Sequence, residues 1–266
     1  MVINKPIVGV SALIFVLAAG GVYYLRSRNA PLPPAPVPAV NTAPAPAADS
    51  GISHPLPKAG DNTAASGPVP ALADSDPPLL DALAQLSSAD AVKQFLAPQD
   101  VIRKMVVTID NLPRQKVAVE KRPTNPIAGS FVATGDEIHG TLDQRNFERY
   151  KPMVAVISHM DMKQLGAVYI HYYPLFQESY QNLGYPNGYF NDRLVEVIDS
   201  LLAAPEAKAP IELVRPNVMY TYADATLEAR PAGQKLLIRM GPENAKAIKA
   251  KLTELRAVIA TGPLKH

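Results

Sequence analysis

Eleven of the chain's 27 prolines fall between Asn29 and Leu72, and that concentration decides where a folded core can form. The stretch opens APLPPAPVPAV and continues TAPAPAADS; apart from scattered Leu, Ile and Val, the remainder is Ala, Gly, Ser, Asn and Asp. Proline lacks the amide donor that helices and sheets need, and so few apolar side chains cannot offset the entropy of ordering the chain. Residues 29–73 are therefore expected to be a disordered Pro/Ala-rich linker. Alternating Pro-Ala favours polyproline II at ~3.1 Å per residue, so the spacer reaches at most roughly 140 Å. His54 within it is read as a lone polar residue with no metal role.

Ahead of the spacer, Ile7 to Leu25 reads IVGVSALIFVLAAGGVYYL without a charge. A helix of that length at ~1.5 Å per residue spans roughly 28 Å, close to the ~30 Å hydrocarbon thickness. Lys5 precedes the run, Arg26 and Arg28 follow it, and Tyr23 and Tyr24 stand where amphipathic rings favour the interface. Residues 1–28 are expected to be a transmembrane anchor with its flanks; a cleaved signal peptide is the competing reading, since VLAAGG offers small residues for cleavage. Flanking charge is balanced and does not choose a side. The very short leader and the spacer that follows favour a cytoplasmic N-terminus and a periplasmic domain, in a bacterial inner membrane.

Periodicity begins near residue 74 and is expected to continue to 260, with 261–266 a short tail. The fold class predicted is mainly α, a single helical domain with one small β-hairpin. Asp76 is placed as an N-cap before Leu79, Leu80, Leu83 and Leu86, and a second helix runs from Ala97 to Leu112 with Val101, Ile102, Met105, Val106 and Ile109 inward. GSFVATGDEIHGTLD reads as the hairpin, turning at Gly135-Asp136. A short helix follows between Tyr150 and Met160. Asp161 then caps a long helix whose Met162, Leu165, Tyr169, Tyr172, Phe176, Tyr180 and Leu183 share one face, with a kink expected at Pro174. That aromatic stripe is read as core, with an aromatic ligand groove as the alternative. APIELVRPNVMYTYAD adds an extended or irregular segment, ATLEARPAGQKLLIRMG a helical one, and Pro242 opens a last helix with Ile248, Leu252, Leu255 and Ile259 inside and Lys246, Lys249 and Lys251 facing water.

The densest unusual stretch is GYPNGYFNDR, residues 184–193. Gly184 stands where a left-handed C-terminal cap is wanted, Pro186 forbids continuation, and Asn191 or Asp192 can cap the helix of Leu194, Val197, Ile198 and Leu201. A connector explains the Gly, Pro and Asn. It leaves Tyr185, Tyr189, Phe190 and Arg193 open between a plug for the end of the bundle and the lining of a concave site, where a helix N-terminus with a nearby Arg can hold an anion. Tyr185, Asn187, Tyr189, Asn191, Asp192 and Arg193 are the candidate ligand-binding residues.

Cysteine is absent, which removes disulfides, thiolate metal sites, the lipidated Cys of a lipoprotein and a Cys nucleophile. A formal net charge of +2 with both signs interspersed argues against a nucleic-acid footprint. His139, His159 and His171 lack the spacing of a helical metal pair, so no metal or other cofactor is expected. No nucleophile elbow, zinc-protease signature or phosphate-cradling Gly loop is present. The expected function is a non-enzymatic binding or scaffold module held off the membrane by the spacer, its partner an envelope protein or a cell-wall component. Two alternatives stay open: an envelope-polymer hydrolase using carboxylates among Glu178, Asp192, Glu196 and Asp199, and a tethered interaction domain on the cytoplasmic side. Oligomeric state is left undetermined.

Three strings, FLAPQDVIRKMVVTIDNLPR, YPLFQESYQNLGYPNGYFNDRLVEVIDSLL and AGQKLLIRMGPENAKAIKAKL, resemble the bacterial family catalogued as domain of unknown function 3014. The likeness covers most of residues 75–258. It implies a single-pass, membrane-anchored envelope protein and brings no assigned activity or catalytic residue to carry over.

Overall fold

The computed structural model describes residues 51–57, 67–117, 121–136, 138–217 and 219–260. The Ile7–Leu25 anchor and most of the spacer lie outside them, and among the described residues no helix is long and apolar enough to cross a membrane.

Helices dominate, as expected: α1 Asp76–Leu86, α2 Ala89–Phe95, α3 Val101–Asn111, α4 Arg145–Ser158, α5 Met162–Asn182, α6 Phe190–Leu202, α7 Ala225–Glu228, α8 Ala232–Met240 and α9 Pro242–Ile259. The inward stripe read for α3 is buried throughout, as are Leu194, Val197, Ile198 and Leu201 on α6 and Ile248, Leu252, Leu255 and Ile259 on α9. These stripes meet in one core around the long helix α5, whose aromatic side is interior apart from the half-exposed Leu183 at its end. Gly166 lets α9 approach α5: an added Cβ there would stand 2.3 Å from Val258 Cγ1.

The single hairpin needs correction. Ala133–Gly135 (β1) and His139–Leu142 (β2) pair as read, but Glu212–Val214 (β3) joins β2 and Thr221–Tyr222 (β4) joins β3, giving a four-stranded antiparallel sheet in the order β1-β2-β3-β4. The partner of β2 stands about 70 residues downstream, and no local pattern announces so distant a pairing. Leu142, Ile211, Leu213, Tyr222 and Ile238 form a second, small core beneath this sheet.

Other expectations shift with tertiary context. Asp76 does not cap its own helix; its carboxylate accepts from the amides of Asp100 (2.7 Å) and Val101 (2.8 Å) and so caps α3 from a distance, where Asp100 is left-handed at φ 53 and offers no cap of its own. The helix read from Ala97 starts at Val101, and α2, begun by the Ser88 hydroxyl accepting from Ala91, precedes it. Helix α4 starts five residues ahead of Tyr150 and contains Pro152, and Pro231 separates α7 from α8. Lys249 and Lys251 do not simply face water: their ammonium groups donate to the carbonyls of Ala204 and Met160, just past the C-terminal ends of α6 and α4, where a cation complements the helix dipole. Asp161 caps α5 as expected, accepting from Lys163 and Gln164.

Candidate functional site

The connector between α5 and α6 divides into a half that faces the domain and a half that faces another part of the chain. Gly184 takes φ +105, a conformation side chains rarely adopt, and ends α5 as its sequence suggests. Gln177 of α5 then holds the returning backbone: its Oε1 accepts from the Phe190 amide and the Tyr173 hydroxyl (both 2.8 Å), and its Nε2 donates to the Gly188 carbonyl (2.7 Å). Gly188 passes so close to Tyr180 that a Cβ would stand 2.8 Å from the ring.

Phe190, Tyr185 and Arg193 are the plug. Phe190 is fully buried, stacked on Phe176 (centroids 5.7 Å, 13°) and tilted against Tyr180; Tyr185 stacks on the other side of the arrangement with Tyr180 at 4.6 Å. Arg193 reaches across to α3, its Nε donating to Asp110 Oδ1 (3.1 Å) and its Nη2 to the Asp110 carbonyl (2.7 Å), while Nη1 pairs with Glu196 (2.8 Å). The buried Asp110 carboxylate also accepts from Arg114 and, at 3.4 Å, from the Tyr185 hydroxyl. This guanidinium is thus held within the domain by Asp110 and Glu196. Asn187 is exposed and stands outside both halves.

Tyr189, Asn191 and Asp192 also meet Gly51–Pro57, a piece of the segment read as spacer. Asp192 accepts from two successive amides, Ser53 to Oδ2 (3.0 Å) and His54 to Oδ1 (2.6 Å). The Tyr189 hydroxyl accepts from the Leu56 amide (3.2 Å). Asn191, fully buried, accepts from the Tyr169 hydroxyl and donates to the carbonyls of His54 and Ile259, both at 2.8 Å. Leu56 packs half-buried on the main core, and His54 is buried against the domain. A segment too proline-rich to form its own secondary structure can still order when a preformed face satisfies its main chain.

The carboxylates considered for hydrolysis are separately engaged. Glu196 pairs with Arg193, Asp199 with the buried Arg256, and Asp192 with the spacer amides, while Glu178 is exposed. Among the described residues no three His, Asp or Glu side chains gather closely enough to hold a metal. The residues that sequence reasoning missed are Asp110 and Gln177, each a polar group inside a helix; the polar Asp110 next to the inward Ile109 was the one visible hint.

Burial of the aromatic side of α5 has a consequence at high pH. Desolvation raises the phenols of Tyr169 and Tyr173 and lifts those of Tyr180 and Tyr222 to about 12. A folded-state pKa above the unfolded value of about 10 means that the associated stability is complete below pH ~10 and is lost as pH rises through ~12. The chain is expected to unfold in that window, with the buried fraction of its eleven tyrosines ionising together with the loss of helical circular dichroism. Smooth, independent ionisation of all phenols near pH 10, with the helices intact, would contradict this burial.

The family model described as protein of unknown function (DUF3014) matches residues 101–256. This span runs from α3 to the last turns of α9 and includes the whole connector. No curated protein and no solved structure matches the chain.

Proposed function

Because the chain belongs to the DUF3014 family, whose description assigns no activity, we propose its function from its own residues: a membrane-anchored, envelope-facing interaction module that works by binding. The observation that carries this reading is the division of the connector. Three of its polar side chains hold the main chain of a segment more than 130 residues earlier in sequence, Asn191 from a buried position where it also bonds Tyr169 and Ile259. Main-chain recognition by fixed side chains is the chemistry of a peptide-docking face. The uncharged run from Ile7 to Leu25 supports an anchor, and the proline-rich spacer supports display of the domain at a distance from the bilayer. In this reading the partner is a protein or wall component of the bacterial envelope, met on the periplasmic side of the inner membrane.

Topology is the test. The full-length chain is expected to stay in the membrane fraction through an alkaline wash, and reporters fused after His266 are expected to be active in the periplasm and silent in the cytoplasm. Release into the wash would overturn the anchor. A reporter active only in the cytoplasm would overturn the envelope location.

A further inference from the structure

We propose that the face formed by Tyr189, Asn191 and Asp192 is a binding site for an uncharged, proline-containing peptide bent at its two leading residues, and that Gly51–Pro57 is an intramolecular occupant which a partner's segment of the same chemistry displaces. This deepens the interaction-module reading and rests on it.

The fit between segment and face is specific in its main-chain pattern. Between Ser53 and Pro57 only Ser53, His54 and Leu56 possess an amide N–H, since Pro55 and Pro57 have none. All three are donated, two to the oxygens of Asp192 and one to the Tyr189 hydroxyl. The face asks for no donor where proline stands, so a ligand with proline at that place leaves nothing unsatisfied. Proline also fixes φ beforehand, which lowers the entropy lost on docking. The demand for a carbonyl is equally defined: Asn191 is fully buried, and of its amide hydrogens one serves Ile259 and the other His54. Removing the segment strips that donor, and both Asp192 oxygens, of protein partners.

Side chains narrow the class further. Leu56 supplies an aliphatic contact two residues after the buried His54. Residues 50–57 carry no charge, which suits a face whose own charged group is the Asp192 carboxylate. The ligand class is therefore a segment bent so that two successive N–H donors converge on one carboxylate, with a proline third and an aliphatic residue fourth. Because the occupant is covalently joined to the domain, its docking is unimolecular, at an effective concentration on the order of millimolar for a short connection. A partner must outcompete it, so the segment sets a threshold for binding and keeps the face covered when the partner is scarce.

The test uses the full-length chain in detergent micelles and a fluorescent peptide of residues 50–57. The double variant Ser53→Pro/Leu56→Pro removes two donors of the intramolecular segment and leaves the face untouched. It is expected to bind the peptide about 10-fold or more tightly than wild type does, in keeping with release from tethered competition. Adding Asp192→Ala is expected to abolish that binding. In the wild-type chain, excess peptide is expected to speed hydrogen exchange at Ser53, His54 and Leu56, a readout that needs no substitution. Equal affinity of wild type and double variant would overturn the proposal, as would a cooperatively melting double variant that does not bind, or exchange that excess peptide leaves unchanged. A concentration-dependent dimer of the wild type that the double variant abolishes would also overturn it, in favour of segment exchange between copies. A chain released from membranes or facing the cytoplasm would fail the anchoring reading and leave these peptide results intact, whereas a peptide that never binds leaves the topology result intact.

Discussion

Replacing Phe190 by alanine is expected to remove about 3–5 kcal/mol of folding stability, the range for truncating a buried aromatic side chain. The ring is 0% exposed and joins α6 to α5 by stacking on Phe176 and leaning on Tyr180, so truncation opens a cavity between two helices instead of at a surface that can collapse. For a domain of this size roughly 2–4 °C accompanies each kcal/mol, so melting is expected to fall by roughly 6–20 °C. Thermal melting followed by far-ultraviolet circular dichroism measures it, with Phe190→Leu expected to lose less because it keeps much of the volume. A Phe190→Ala chain melting within a degree or two of wild type would mean that the connector does not plug the bundle.

The second large effect falls three residues further along, at Arg193. Arg193→Ala is expected to cost about 3 kcal/mol, the low end of the range for breaking a buried ion pair, because the 5% exposed Asp110 carboxylate keeps Arg114 as a partly exposed partner. Arg193→Lys retains the charge and loses the fork that serves both the carboxylate and the carbonyl of Asp110, so it is expected to recover less than half of the loss. Asp192→Ala, one residue away, is expected to change stability by no more than about 1 kcal/mol, because its partners belong to the docked segment and not to the helical core. Urea unfolding of the three variants separates them. Similar losses for Asp192→Ala and Arg193→Ala would show that the connector is uniformly structural and that the division into plug and docking face is wrong.

That division shows where reading by sequence reached its limit. Gly184, Pro186 and the restart of apolar spacing at Leu194 are local signals, set by φ preference, the missing proline donor and helical repeat, and they marked the connector correctly. The same stretch offered no means of telling Arg193 from Asp192. Both are charged and stand in the first turn of α6, and neighbouring residues on a helix point about 100° apart, so one meets α3 and the other meets Gly51–Pro57. Asp76 teaches the same lesson. Its residue type was read as a cap, and it is one, but for α3 and not for its own helix, because a carboxylate binds whichever unpaired amides the packing brings near.

The amino-acid sequence by itself determined the helical class, the inward faces of α3, α5, α6 and α9, and the place of the connector, because periodicity, caps and breakers act over a few residues. It also determined the family, through long strings of residues. Only the tertiary structure decided that β2 pairs with β3, that Lys249 and Lys251 close the ends of other helices, and that Ser53, His54 and Leu56 lie against Tyr189, Asn191 and Asp192. These contacts, the β pairing at about 70 included, join residues about 45 to 140 positions apart, and their energy comes from satisfying main-chain groups in a particular geometry. No local pattern encodes such a partner, since almost any segment carries the same amides and carbonyls; the fold selects which of them meet.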